Sequence, residues 1–215
     1  MADDLFDENV LKDFKKPQLV KIILELQKEN NAMKKQQVDM KILDDRVIAL
    51  ERSHYLYLQY GRRESIEITG IHEQVKQEDL ENEVEKIYNE AKVEVHGRQL
   101  NSSDISACHR VGKKGVTIVR FVNRKFATEG LFKGKNLKGT KLYGNTPIYI
   151  NNSFCKEFKF YGYIIRKLKS RSQIDAYKIK NGVYQIKTLG NDNYVEVSHI
   201  SDFNKYELDI TSFLE

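Results

Sequence analysis

From Gln18 to Tyr60 the chain has neither glycine nor proline, and no other feature limits its fold as much. At ~1.5 Å per residue this stretch makes a helix of roughly 65 Å. Pro17 stands where its missing N–H costs nothing in a first turn. Apolar residues recur every seven positions. Leu19, Leu26, Met33, Met40 and Val47 form row a, and Ile22, Leu43, Leu50 and Tyr57 form row d. Glu29, Gln36 and His54 interrupt the rows. So narrow a stripe predicts a coiled coil rather than an amphipathic helix folded back on a domain. The polar seam positions predict a weak N-terminal half and a firmer stretch from Met40 to Leu50.

Beyond Gly61 the pattern changes. SIEITGI (Ser65 to Ile71) alternates like a half-buried strand. Lys76 to Ala91 is helical, with Leu80, Val84, Ile87 and Ala91 on one face. ISACHRV (Ile105 to Val111) and GVTIVRFV (Gly115 to Val122) predict two further strands. Asn123 to Leu137 predicts a helix weakened by Gly130 and Gly134, and PIYIN (Pro147 to Asn151) a fourth strand. The order βαββαβ is that of a ferredoxin-like or RNA-recognition-motif (RRM-like) domain. After it, Ser153 to Ile174 is a helix candidate with Phe154, Phe158, Tyr161 and Ile165 on its buried face. Ala176 to Lys187 reads as a hairpin turning at Asn181-Gly182, and Tyr194 to Ile200 as one more strand. The expected fold is α+β. Its parts are an acidic N-terminal tail (1–17), a coiled-coil helix (18–61), an RRM-like domain (62–151) and a small C-terminal α+β domain (152–215).

Charge is distributed unevenly. Residues 110–180 carry 18 basic and 3 acidic side chains, a net +15, whereas residues 61–109 carry a net −5. So concentrated an excess predicts a polyanionic partner. No apolar run approaches the ~18 residues that cross a bilayer, and the acidic N-terminus is unlike a signal peptide, so no membrane partner is expected. Cys108 and Cys155 predict no disulfide framework and fit a reducing compartment.

Catalysis finds little support. Cys108 and His109 are neighbours on a predicted strand, so they point to opposite faces and cannot act as nucleophile and base together. The histidines and cysteines lack metal-ligand spacing, and no phosphate-loop or nucleophile-elbow motif occurs. No enzyme activity, cofactor or metal is expected. Nucleic-acid binding fits better. An RRM-type sheet stacks bases on aromatics of its central strands. Here those strands offer Ile66, Ile68 and Phe121, a poor platform. The expected contacts are therefore phosphate-binding cations: Arg110, Lys113, Lys114, Arg120, Arg124, Lys125, Lys135 and Lys138 in the first domain, and Arg166, Lys167, Lys169, Arg171, Lys178 and Lys180 in the second. Tyr163, Tyr177 and Tyr184 lie among them as stacking candidates. In this reading the HRVGKKG turn is a phosphate-contacting edge and His109 is structural. The ligand is expected to cross the junction between the two domains. The alternative reading is a coiled-coil scaffold whose RRM-like domain binds protein.

DISACHRVG, TIVRFVNRKFATEGLFKGKNLKG, IYINNSF and RRESIEITGI together resemble the RNA-binding protein from the first open reading frame of LINE-type non-LTR retrotransposons. That family combines a coiled coil, an atypical RNA-recognition motif and a C-terminal α+β domain. The resemblance covers roughly Leu19 to Ile200. The family's coiled coils trimerise through an Arg-h-x-x-h-Glu motif, h being apolar. Arg46-Val47-Ile48-Ala49-Leu50-Glu51 fits it, and the heptad frame places Arg46 at g, Val47 at a, Leu50 at d and Glu51 at e. The resemblance implies a homotrimer held by Met40, Leu43, Arg46, Val47, Leu50 and Glu51. It also implies a protein that coats single-stranded RNA or DNA and acts as a nucleic-acid chaperone. The implied setting is cytoplasmic ribonucleoprotein particles, with the nucleus as a second location.

Overall fold

The computed structural model describes residues 16–112, 115–140, 142–144 and 146–213. Lys113 and Lys114, and the acidic tail before Lys16, lie outside the described residues. The protein is α+β, with a long N-terminal helix and antiparallel sheets. It divides into two units, residues 1–50 and 51–215. Helix α1, Lys16–Tyr60, begins in the first and ends in the second. In the first unit Met40, Leu43, Val47 and Leu50 are all exposed, Leu50 at 71%. Among the described residues no helix is long and apolar enough to cross a membrane.

The second unit holds two cores. The first lies under a four-stranded sheet of β1 (Ser65–Thr69), β4 (Ile105–Val111), β5 (Val116–Phe121) and β6 (Tyr149–Asn152), ordered β4-β5-β1-β6 with antiparallel neighbours. Ile66 pairs with Val119 and Ile68 with Thr117. Strand side chains alternate, so these residues share one face. Against that face pack α2 (Leu80–Glu90) and α3 (Arg124–Lys133), which contribute Leu80, Val84, Ile87, Tyr88, Phe126 and Ala127. Ile66, Ile68 and Phe121, taken from sequence as the sheet's candidate stacking face, therefore point into the core. The opposite face carries Ser65, Glu67, Ala107, His109, Ile118 and Arg120. A bulge between Ile105 and Ala107 sets the parity of β4. A two-residue ladder, β2 (Glu94–Val95) with β3 (Arg98–Gln99), turns through His96 and Gly97, both at positive φ. It has no counterpart in the sequence reading.

Behind this ladder Arg98 donates two hydrogen bonds to the buried Asp104, at 2.6 and 2.7 Å, and the Asn101 N–H donates a third at 3.1 Å. The Arg98 guanidinium holds the Asp104 carboxyl below its usual range, against the opposing effect of burial. A carboxyl depressed in the folded state adds stability above its ordinary pKa of ~3.9. That stability is lost as pH falls through the folded-state value. Asp104→Asn is expected to cost about 1–3 kcal/mol at pH 7 and far less at pH 2. Denaturant titrations at the two pH values measure the difference.

The second core joins α4 (Lys156–Ser170) to the sheet β7 (Ile174–Lys180), β8 (Val183–Thr188) and β9 (Val195–Val197). Asn181 and Gly182, both at positive φ, close the β7–β8 hairpin, the geometry a type I′ turn requires. The strand expected up to Ile200 stops at Val197, and a short helix α5, Ser201–Lys205, follows. The last turns of α1 dock here. Tyr55 and Leu56 pack on the core, and Arg52 meets Asp202 at 2.7 Å.

In mid-α4, Gly162 lies directly beneath the Tyr184 hydroxyl, leaving no room for a Cβ. Phe154 stacks on the Tyr184 ring at 4.9 Å, so the ring cannot retreat. Gly162→Ala gains up to ~1 kcal/mol of helix propensity but overpacks this contact. A net loss of about 1–3 kcal/mol is expected, read as a lowered thermal midpoint. Adding Tyr184→Phe to the same chain should restore part of it.

Candidate functional site

Between the sheet half and the β7–β8 hairpin runs a cleft of about 500 Å³. It continues into a second hollow of about 640 Å³ with which it shares Leu131, Asn152 and Ile179. Arg62, Arg63 and Arg124 line the first part, and Lys159 and Arg166 the second. Among the described residues the one carboxylate lining the cleft, Glu67, is held by Lys159 at 2.8 Å. Phe132, exposed, and Tyr177, at the margin of exposure, supply aromatic surface.

Each wall has a local cause. Arg62 and Arg63 sit in the turn where α1 gives way to β1. Arg124 opens α3, after Asn123 caps the Lys125 N–H at 3.0 Å. Arg166 projects from α4 four residues after the buried Gly162, beside Tyr184. The walls meet at Gln59, which is buried. Its amide donates to the Ser153 carbonyl at 3.1 Å and accepts from the Cys155 N–H at 3.1 Å. That clasp ties the end of α1 to the segment joining the two cores. Arg62 reaches the Ser153 hydroxyl at 3.4 Å. Arg63 lies over the Tyr60 ring at 4.8 Å, and its Nε is buried with no hydrogen-bond partner.

The residues singled out from sequence fall into groups. Arg124, Arg166, Tyr177 and Tyr184 line the cleft. Arg110 does not: its guanidinium donates to the carbonyls of His72 (2.6 Å), Val75 (3.2 Å) and Ile71 (3.4 Å), stapling the loop after β1. Arg120 pairs with Glu64 at 3.2 Å on the outer sheet face. Lys125 meets His96 at 2.8 Å, and Lys135 lies over Phe132 at 4.6 Å. Lys138 and Lys180 are exposed. In the C-terminal part Lys167 faces Tyr163, Arg171 lies over Phe213 and Lys178 over Tyr194, while Lys169 donates to the Asp175 carbonyl. Tyr163 is exposed on α4 but does not line the cleft. Tyr184 is buried, which pushes its hydroxyl above the ordinary tyrosine range and removes it as a stacking surface. Burial raises the Cys108 thiol to about 12, far from a thiolate nucleophile. Of the residues expected from sequence to hold a trimer, Glu51 contacts His199 of its own chain at 3.0 Å.

Arg62, Arg63, Lys159, Phe132 and Gln59 were not singled out from the sequence. The arginine pair falls in the segment of net charge −5, where averaging conceals it. No protein-family model and no curated protein matches this chain.

Proposed function

We propose that this protein binds single-stranded RNA or DNA as a homotrimer, coating the strand and assisting its rearrangement as a chaperone, like the retrotransposon protein its sequence resembles. One observation carries this reading. The cleft presents five cations against a single carboxylate, and Lys159 already neutralises that carboxylate. Arginine forks hold phosphates without reading sequence. A recess lined by one sign of charge focuses the field on an approaching polyanion. Phe132 and Tyr177 add faces on which unstacked bases rest.

Two further features support the parts of the proposal. The order β4-β5-β1-β6, with helices following β1 and β5, supports an RRM-like domain over residues 62–151. The exposed rows of α1 support self-assembly, since a parallel trimer covers Met40, Leu43, Val47 and Leu50 and flanks them with Arg46 and Glu51.

Salt-titrated binding of single- and double-stranded oligonucleotides of equal length tests the proposal. Single strands should bind more tightly, with log K falling by ~0.7 per phosphate neutralised for each unit of log salt. Binding indifferent to salt, or no binding, sinks it.

A further inference from the structure

A second recess, of about 760 Å³, lies over the outer face of the four-stranded sheet and is walled by the last turn of α1. Its floor is Ser65, Ala107, His109, Ile118 and Arg120. Strand register explains the grouping: His109 pairs with Ile118, and Arg120 with both Ala107 and Ser65. Serine and alanine at the centre leave the floor low. The wall is Tyr57 and Tyr60, one helical turn apart and 76% and 61% exposed. They thus share a helix face. The Arg63 guanidinium lies over the Tyr60 ring at 4.8 Å. Among the described residues no carboxylate lines the recess, and two of its lining residues are arginines: Arg62, and Arg120, whose guanidinium pairs with Glu64 at 3.2 Å and would exchange that partner for a phosphate. Arg62 also lines the cleft, so one side chain borders both hollows.

We propose that this recess takes an unstacked nucleobase of the strand bound in the cleft. The base stacks on Tyr57 and Tyr60, and the flanking phosphates meet Arg62 and Arg120. The inference rests on the nucleic-acid reading above and adds to it a base-contacting subsite. An RRM-type sheet takes its stacking aromatics from its central strands. Here β1 and β5 present no aromatic residue outward, and the helix supplies the rings instead. A nucleotide within a strand combines a flat face with an anion on either side. The volume lies within the ~300–1,000 Å³ of sites that enclose small flat molecules. His109, exposed on the floor, has both ring nitrogens available to a base edge.

The test compares two single strands of equal length on the full chain, one carrying bases throughout and one abasic at its central positions. The expected wild-type preference for the base-bearing strand is ~5- to 150-fold per stacked base. Tyr57→Ala with Tyr60→Ala should abolish that preference and leave the salt slope unchanged, whereas Tyr57→Phe with Tyr60→Phe should keep it. Retention of the preference by the alanine pair overturns the subsite. Equal wild-type binding of both strands with a steep salt slope also overturns it, while leaving the cleft standing. Failure of the wild type to bind either strand overturns the cleft and the subsite together. Tyr57 lies on row d of the helix, so a measurement on the unaltered chain accompanies the variants. Photo-crosslinking with a 5-iodouracil strand should give adducts at Tyr57, Tyr60 or His109. Adducts confined to Phe132 and Tyr177 overturn the subsite.

Discussion

Replacing Arg62, Arg63 and Arg124 together with alanine should weaken single-strand binding by at least ~10²-fold. Each charge-assisted contact contributes about 1.5–3 kcal/mol, so three independent losses exceed ~10³-fold even at the low end. Neighbouring arginines on one strand are not independent, which lowers the expectation. The slope of log K against log salt should fall by roughly 2, at ~0.7 for each of three phosphates. Arg110→Ala is the informative control, because that side chain holds the carbonyls of Ile71, His72 and Val75 and does not line the cleft. It should lower the thermal midpoint and leave the slope where it was. If the triple variant keeps the wild-type slope, the phosphates are bound elsewhere.

The largest change in mass is expected from Val47→Asp with Leu50→Asp. Both residues are exposed on α1, at 52% and 71%. Burying an aliphatic side chain of this size contributes ~1.5–3 kcal/mol, and each is repeated in all three helices of a trimer. A carboxylate at either position replaces that gain with charges crowded in one layer. Sedimentation should show the wild type near three times 25.2 kDa and the double variant at 25.2 kDa. Long strands should lose the ~10²- to 10⁴-fold avidity that linked sites confer, and short strands should not. A wild-type monomer at micromolar concentration excludes the trimer. Glu51 bears on the outcome, because it already contacts His199 within its own chain. A carboxylate shared with Arg46 of a neighbour would tie assembly to the docking of α1 on the C-terminal core.

The strands were legible where the signal is local. SIEIT alternates between core and solvent along five residues, and Asn181-Gly182 announces its own turn. The long helix was legible from the absence of glycine and proline. The cleft was not, because it is made of pieces far apart in the chain: Arg62 from a helix end, Arg124 from α3, Lys159 and Arg166 from α4. Only the folded sheet order brings them together. The surroundings of Arg110 were not legible either, because the carbonyls of Ile71, His72 and Val75 that it holds lie far away in the sequence. Strict alternation from the buried Ile105 would put Ala107 and His109 on the core face. The extra residue at Ser106 reverses that parity, and nothing in the local sequence marks the bulge. The β2–β3 ladder, two residues a strand, is too short to display a period.

Gln59 is a neutral amide, and its two bonds join the end of α1 to Ser153 and Cys155. The tip of the β7–β8 hairpin crowds the same group, since a Cβ on Gly182 would come within 3.1 Å of its Nε2. Three separate stretches of chain thus pivot on a contact with no net charge, out of reach of dissolved ions. This clasp therefore differs in kind from the ion pairs Lys159–Glu67 and Arg52–Asp202 that brace the same region. If a polyanion binds in the cleft as proposed, a rise in ionic strength would loosen the guest and leave the Gln59 clasp intact.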